Sequence, residues 1–378
     1  MTPPAHRSHG LDTLRALAIF SVMLFHINDF HGEGSLPAFL VPVARLGWMG
    51  VDLFFVLSGY LIAVQFLRPY RAAVRPRLWP FYRNRIFRVL PAYFAVLALY
   101  LAIPVWREDT SLPPLWQMLT FTQNLFVDYG ADRAFSHVWS LCVEEHFYLL
   151  LPLLVYALMR KPSLKKTVAV LAGLALFCIC IRAWFLVHDL KPLAESGRRF
   201  GLLYIERIYF PTYSRLDGLL AGAALALVKT FRPAWWWALA RRGHTLLGAG
   251  LCLVAVAVWL SKDRWDSVTG AAAAGVVVGF PVLALGFACL VASAVSANGW
   301  LRLKIPGAQA IATLAYSLYL THKELIHLVD LRFPALAHGA MLRWLGLYLM
   351  TSLVVATALY IAVERPFLRL RDKPFLGV

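Results

Sequence analysis

At 378 residues, 60% of them hydrophobic and 15% charged, with a mean hydropathy of +0.65, the chain departs from the roughly 45–50% apolar and about 25% charged make-up of soluble domains, which excludes that class. Its net charge of +17 sits largely in short segments between apolar runs, where a bilayer accounts for it, so no nucleic-acid partner is expected. Cys142, Cys178, Cys180, Cys252 and Cys289 all fall inside or at the ends of apolar runs without metal-ligand spacing; they read as packing residues, and no metal is expected.

Apolar runs recur near 11–30, 49–68, 80–102, 140–159, 166–186, 208–228, 244–260, 268–292, 308–329 and 341–362, close to the ~20 residues that cross a hydrocarbon core about 30 Å thick. They predict an all-α integral membrane protein, a polytopic bundle of about ten transmembrane helices forming one domain over 1–378 with its core at 11–366. No small-residue cleavage site follows the first ten residues, so the first span is expected to stay as an anchor. With the N-terminus placed inside, the segments on that side carry the larger share of lysine and arginine, most of all the run from Arg68 to Arg88. Both termini are therefore expected in the cytoplasm.

The first span carries Arg15 near its start and His26 near its end. Their separation is close to three helical turns, which puts both on one face about 16 Å apart along the axis. A charge at mid-bilayer costs at least ~2.5 kcal/mol, so such groups usually face the bundle interior and mark a pathway or a site. The plainer alternatives are an Arg15 that snorkels to the membrane edge and a His26 that is only hydrogen-bonded in the interior. In the second span Asp52 lies just inside the outer edge.

The most basic loop follows, and Phe81-Tyr-Arg-Asn-Arg-Ile-Phe-Arg-Val-Leu-Pro91 places Arg85 and Arg88 on neighbouring helix positions with Arg83 close by. Paired guanidinium forks suit phosphate; they equally suit anionic lipid headgroups as an anchor. At the fourth span, His137-Val-Trp-Ser-Leu-Cys-Val-Glu-Glu-His-Phe-Tyr-Leu-Leu-Leu-Pro152 gathers His137, Ser140, Glu144, Glu145 and His146 at the outer edge. Adjacent glutamates diverge by about 100° on a helix, so only one can face an interior site, where it could neutralise a cation or orient His26. The sixth span holds Arg215 and Asp217, expected to pair with each other or across helices. The ninth sets Tyr316, Tyr319 and His322 at three-residue intervals on one face, beside Lys323; polar packing between helices would account for them without chemistry.

Taken in order, these stretches resemble a membrane-bound acyltransferase of family 3, the O-acetyltransferase type that modifies bacterial surface glycans. Arginine, ten residues, then histidine in the first span resembles the family's defining motif. GVDLFFVLSGYLI, the paired arginines of RIFR, WSLCVEEHFYLLLP, RLDGLLAG and YSLYLTH resemble further family blocks, covering Leu11 to about Pro366. His146 departs from the usual glutamine, and Thr13 from a common glycine. The chain resembles the stand-alone form, without a fused periplasmic hydrolase-like domain.

The resemblance implies a multi-pass enzyme of the bacterial inner membrane. It would move an acyl group, most often acetyl from acetyl-CoA, to a hydroxyl of an envelope or exported glycan or a lipid-linked sugar, such as O-antigen, exopolysaccharide or lipopolysaccharide. Arg85, Arg88 and Arg83 would hold the acyl-CoA phosphates, and His26 would act as base or acyl carrier. Arg15 would sit between them, Glu144 or Glu145 would fix the imidazole, and Asp52, Ser140, Arg215, Asp217, Tyr316, Tyr319 and His322 would form a supporting polar site. The rival reading is a transporter or flippase whose polar path runs through Arg15, His26, Arg215, Asp217 and Lys323. The chain shows neither an inverted repeat nor paired broken helices, which favours the enzyme.

Overall fold

The computed structural model describes residues 8–32, 36–193, 198–262 and 270–373. The extreme ends, whose side of the membrane the charge pattern predicts, lie outside the described residues, as do Arg7 and Arg264. Among the described residues the chain is helical with no strand. Ten helices carry the architecture: α1 (His9–His31), α2 (Met49–Leu67), α3 (Leu78–Ala102), α4 (Trp139–Met159), α5 (Leu164–Phe185), α6 (Asp217–Phe231), α7 (Gly243–Ser261), α8 (Phe280–Ala294), α9 (Ala308–Arg332) and α10 (Met341–Leu359). Each of the ten predicted runs overlaps one of these helices.

Eight helical stretches are long and apolar enough to cross a membrane. The two that fall short are α6, with 15 residues, and α9, whose second half carries Lys323, Glu324 and Asp330. The expected span at 208–228 needs correction. Residues Ile205–Tyr209 and Thr212–Ser214 form separate turns and the regular helix begins only at Asp217. Pro211 lacks an N–H and disfavours helix for the residue before it, which breaks the run, while Asp217 suits the positive end of the helix dipole. Arg215 therefore lies in the turn ahead of α6.

In the lipid, association depends on close backbone contact rather than on exclusion of water, and small residues permit it. The crossing of α2 and α6 follows this rule. A Cβ on Gly222 would stand 2.2 Å from the Val56 carbonyl oxygen, and one on Gly59 the same distance from that of Leu219. Buried ion pairs lock the same region. Arg215 meets Asp52 at 2.8 Å, and Arg182 holds Asp217 with a two-pronged contact at 2.7 and 3.1 Å. Arg182 is thus fully buried within α5.

The connection from α3 to α4 does not float above the bundle. Met118, Asn124, Ala134 and Phe135 are buried. Tyr93 donates to the Met118 carbonyl at 2.8 Å, and the Asn124 amide reaches Thr212 at 2.8 Å. The consequence is a second correction: the His137–Glu145 segment, expected at the membrane edge, lies inside the protein beneath this cover, with His137, Ser140 and Val143 buried.

Candidate active site

Two of the cavities in the bundle lie toward opposite ends of α1. The first, about 220 Å³, is lined by Arg15, Arg85, Arg88, Ser58, Glu144, Tyr148 and Tyr316 among others. It opens past the exposed Gln65. Arg15 reaches Asp12 at 3.8 Å, and Arg85 lies over the Tyr148 ring with its guanidinium carbon 5.5 Å from the centroid. One arm of Arg88 is engaged by the buried Glu364 at 3.0 Å, which also accepts from Ser317. Arg83 does not line this cavity; its guanidinium donates to the Arg371 carbonyl at 3.0 Å. Tyr316 donates to the Val89 carbonyl at 2.9 Å.

The second cavity, about 320 Å³, is lined by His26, Asp29, Tyr129, His137 and Lys323 among others, and it opens at the exposed Asp29. Burial pushes the Tyr129 phenol above its usual range, so it remains a hydroxyl donor here. Lys323 is held at 3.2 Å by Glu108, from the covering connection, and donates to Ser136 at 3.0 Å.

The histidine arrangement is settled by counting protons. His322 Nδ1 lies 2.8 Å from the Tyr319 carbonyl oxygen, which can only accept, so in the neutral ring Nδ1 carries the hydrogen and Nε2 the lone pair. That Nε2 lies 2.9 Å from His26 Nδ1, which is also 3.0 Å from the Val22 carbonyl. His26 Nδ1–H is therefore the shared donor, and the lone pair of His26 is left on Nε2. A third imidazole, His137, stands with its ring centroid 5.2 Å from that of His322.

Between the cavities runs a thin seam. Ser140 and Tyr319 line the first cavity, while Ser136, His137 and Trp139 line the second. Tyr319 donates to the His137 carbonyl, and its oxygen is 2.8 Å from Ser140 Oγ, which donates to it.

The glutamates do not meet His26. Glu144 accepts from Ser58 at 3.0 Å and Tyr148 at 2.7 Å in the arginine cavity. Glu145 lines neither cavity, and its Oε1 is buried without a hydrogen-bond partner. The neighbour on the His26 ring is His322. His146 pairs with Thr212 at 2.7 Å. Asp52, Arg215 and Asp217 belong to the α2–α6 lock, with Arg215 packed 4.0 Å from the Phe280 ring centroid.

A family model described as an acyltransferase domain matches residues 8–363. The chain belongs to this acyltransferase family. With that, the transporter reading gives way to an enzyme. Related sequences include YrhL of Bacillus subtilis, provisionally named a peptidoglycan O-acetyltransferase, 30% identical over 58% of this acyltransferase and 33% of the relative. The O-acetyltransferase OatA of Staphylococcus aureus is 27% identical over 58% and 34%. The peptidoglycan O-acetyltransferase OatA of Listeria monocytogenes is 28% identical over 59% and 34%. The acyltransferase thus aligns with about a third of the length of these relatives. No solved structure matches it. Among the described residues no group of three or more His, Cys, Asp or Glu side chains is placed to hold a metal ion.

Sequence reasoning missed Asp29, Glu108, Tyr129 and Tyr148 as cavity residues or partners of them. Asp29 was within reach, since it stands three positions after His26 and so on the same face of α1. Glu108 and Tyr129 carry no local signal, because a connection between spans reveals nothing of how it folds back.

Proposed function

We propose that this acyltransferase moves an acetyl group from acetyl-CoA to a hydroxyl of an envelope glycan across the bacterial inner membrane, with peptidoglycan the acceptor that its relatives' names favour. The observation that carries the reading is the division of labour along α1. Guanidinium groups converge on one cavity, and an imidazole with a free Nε2 lines the other. The loops beside the arginine cavity are the basic ones, which supports a cytoplasmic side for that cavity, where CoA thioesters are found.

In this reading Arg85, Arg15 and the free arm of Arg88 receive the CoA phosphates, since guanidinium forks bind phosphate in two-pronged fashion. The pantetheine arm carries the thioester past Ser140 and Tyr319 to His26. The acceptor hydroxyl enters the other cavity, where Asp29 and Tyr129 offer sugar-binding contacts. Its oxygen attacks the thioester carbonyl carbon as its proton passes to His26 Nε2; the C–O bond forms, the C–S bond breaks, and the departing thiolate takes that proton from His26 and leaves as the CoA thiol, which restores the neutral imidazole. His322 accepts from His26 Nδ1–H throughout, which keeps Nε2 aimed at the cavity and spreads the charge of the imidazolium, the task that a carboxylate performs in other base-assisted sites.

Purified protein incubated with radiolabelled acetyl-CoA and peptidoglycan fragments tests this directly. Label is expected on the glycan and absent from protein kept without acceptor. No incorporation into any envelope glycan overturns the function, and label bound to His26 replaces the base with an acyl carrier.

A further inference from the structure

Away from both catalytic cavities, a third one of about 570 Å³ opens where α4 ends, α5 begins and α6 ends. Tyr70, Ser163, Thr167, Phe231, Arg232 and Trp235 frame it. It shares Met159, Leu171 and Leu227 with a narrow crevice whose lining is wholly apolar and which continues among Phe147, Leu151 and Leu220. The polar, aromatic mouth and the apolar crevice therefore adjoin at these three side chains.

The charge around the mouth is one-sided. Arg160, Lys161, Lys165, Lys166 and Arg232 are exposed there. The chain holds no aspartate or glutamate between Glu145 and Asp189, nor between Asp217 and Asp263. Lys165 and Lys166 occupy the first turn of α5, a helix of 22 residues, where the dipole disfavours cations. The amine of Lys166 is turned back to the Ala157 carbonyl at 3.0 Å, and Ser163 caps the helix by accepting from the Lys166 backbone N–H. Helix stability does not call for these lysines, whereas an anion at this end of α5 would be held by them and by the helix dipole together. Basic pockets between transmembrane helices on the cytoplasmic side are suited to anionic headgroups.

We propose that this large cavity holds one anionic glycerophospholipid drawn from the surrounding leaflet. Its phosphate lies between Arg232 and the start of α5, and one acyl chain lies along the Leu171 and Leu227 wall of the large cavity. Trp235 and Tyr70 lie at headgroup depth, where amphipathic rings are favoured.

Native mass spectrometry of the full chain, titrated with phosphatidylglycerol or with phosphatidylcholine of the same chains, decides the matter. One phosphatidylglycerol is expected to be retained in preference to phosphatidylcholine. Replacing Lys165, Lys166 and Arg232 together with alanine should weaken that retention roughly a hundred-fold, each cation contributing about five-fold. Leu171→Trp, which crowds that wall and leaves the charges alone, should lower retention of both lipids, and chain-brominated phosphatidylglycerol should quench a fluorescence component that Trp235→Phe removes. Equal retention of the two lipids by the parent, or undiminished phosphatidylglycerol in the triple variant, overturns the proposal.

Discussion

At the scale of single residues, the placement of one hydrogen decides what His26 can do. His322 presents a lone pair to His26 Nδ1, so the reactive nitrogen of His26 is Nε2, and any change that reverses the tautomer disarms it. His26→Ala and His26→Gln are both expected to lower acetyl transfer by ~10²–10⁴, the usual worth of a general base, while acetyl-CoA binding measured by calorimetry stays near parental. Glutamine is the sharper variant because it keeps size and hydrogen bonding yet takes no proton; near-parental turnover with it makes the ring structural. Lowering the pH protonates the imidazole and removes the lone pair, so transfer should fall on the acidic side of a pH–rate profile. The arginines of the other cavity are not equivalent. Arg85→Ala should weaken acetyl-CoA binding by roughly 1.5–3 kcal/mol per lost charge-assisted contact, with lysine a partial rescue because it lacks the fork. Arg88→Ala should also reduce thermal stability, since it strands the buried Glu364; a scanning melt beside the binding isotherm separates the two. The spacing of Arg15 and His26 was legible because one helix carries both. The His26–His322 contact joins positions 296 residues apart, and nothing local announces it.

At the scale of helices, the α2–α6 crossing is the joint that holds Asp52 against Arg215. It is fixed by backbone touching backbone, with the Asp52–Arg215 pair set against it. Gly222→Ala forces a methyl group to within 2.2 Å of the Val56 carbonyl oxygen, a contact that neither backbone can relieve by rotating a side chain. An overpacking cost of about 1–3 kcal/mol is expected, read as a lower thermal midpoint in detergent. A melting curve unchanged from the parent would show that the two helices slide freely. The eight helical stretches long and apolar enough to span could be read from hydropathy, because span length is dictated by the bilayer. The start of α6 could not, because Pro211 interrupts an apolar run whose composition looks continuous. The depth of the α4 start was also hidden, since it depends on the covering connection that carries Glu108, Asn124 and Phe135.

On the scale of the whole molecule, the hydrogen-bonded Ser140–Tyr319–His137 seam joins side chains that line the arginine cavity to one that lines the imidazole cavity, and in the proposed reading the two cavities open to opposite sides of the membrane. Two polar cavities in series with one thin septum concentrate the membrane potential on that septum rather than spreading it over the bilayer. A unit charge crossing it meets nearly the full field, about 2.3 kcal/mol for each 100 mV, whereas a neutral acetyl group meets none. In the proposed mechanism the thioester enters and the thiol withdraws uncharged, so acyl transfer through the seam is electrically silent, and the same hydrogen bonds that shape the passage act as the insulation of an energised membrane. Tyr319→Ala in sealed vesicles should raise the proton leak under an imposed potential, followed with a pH-sensitive dye, while the parent protein stays as tight as protein-free lipid; a variant as tight as the parent would mean that the barrier to ions lies elsewhere.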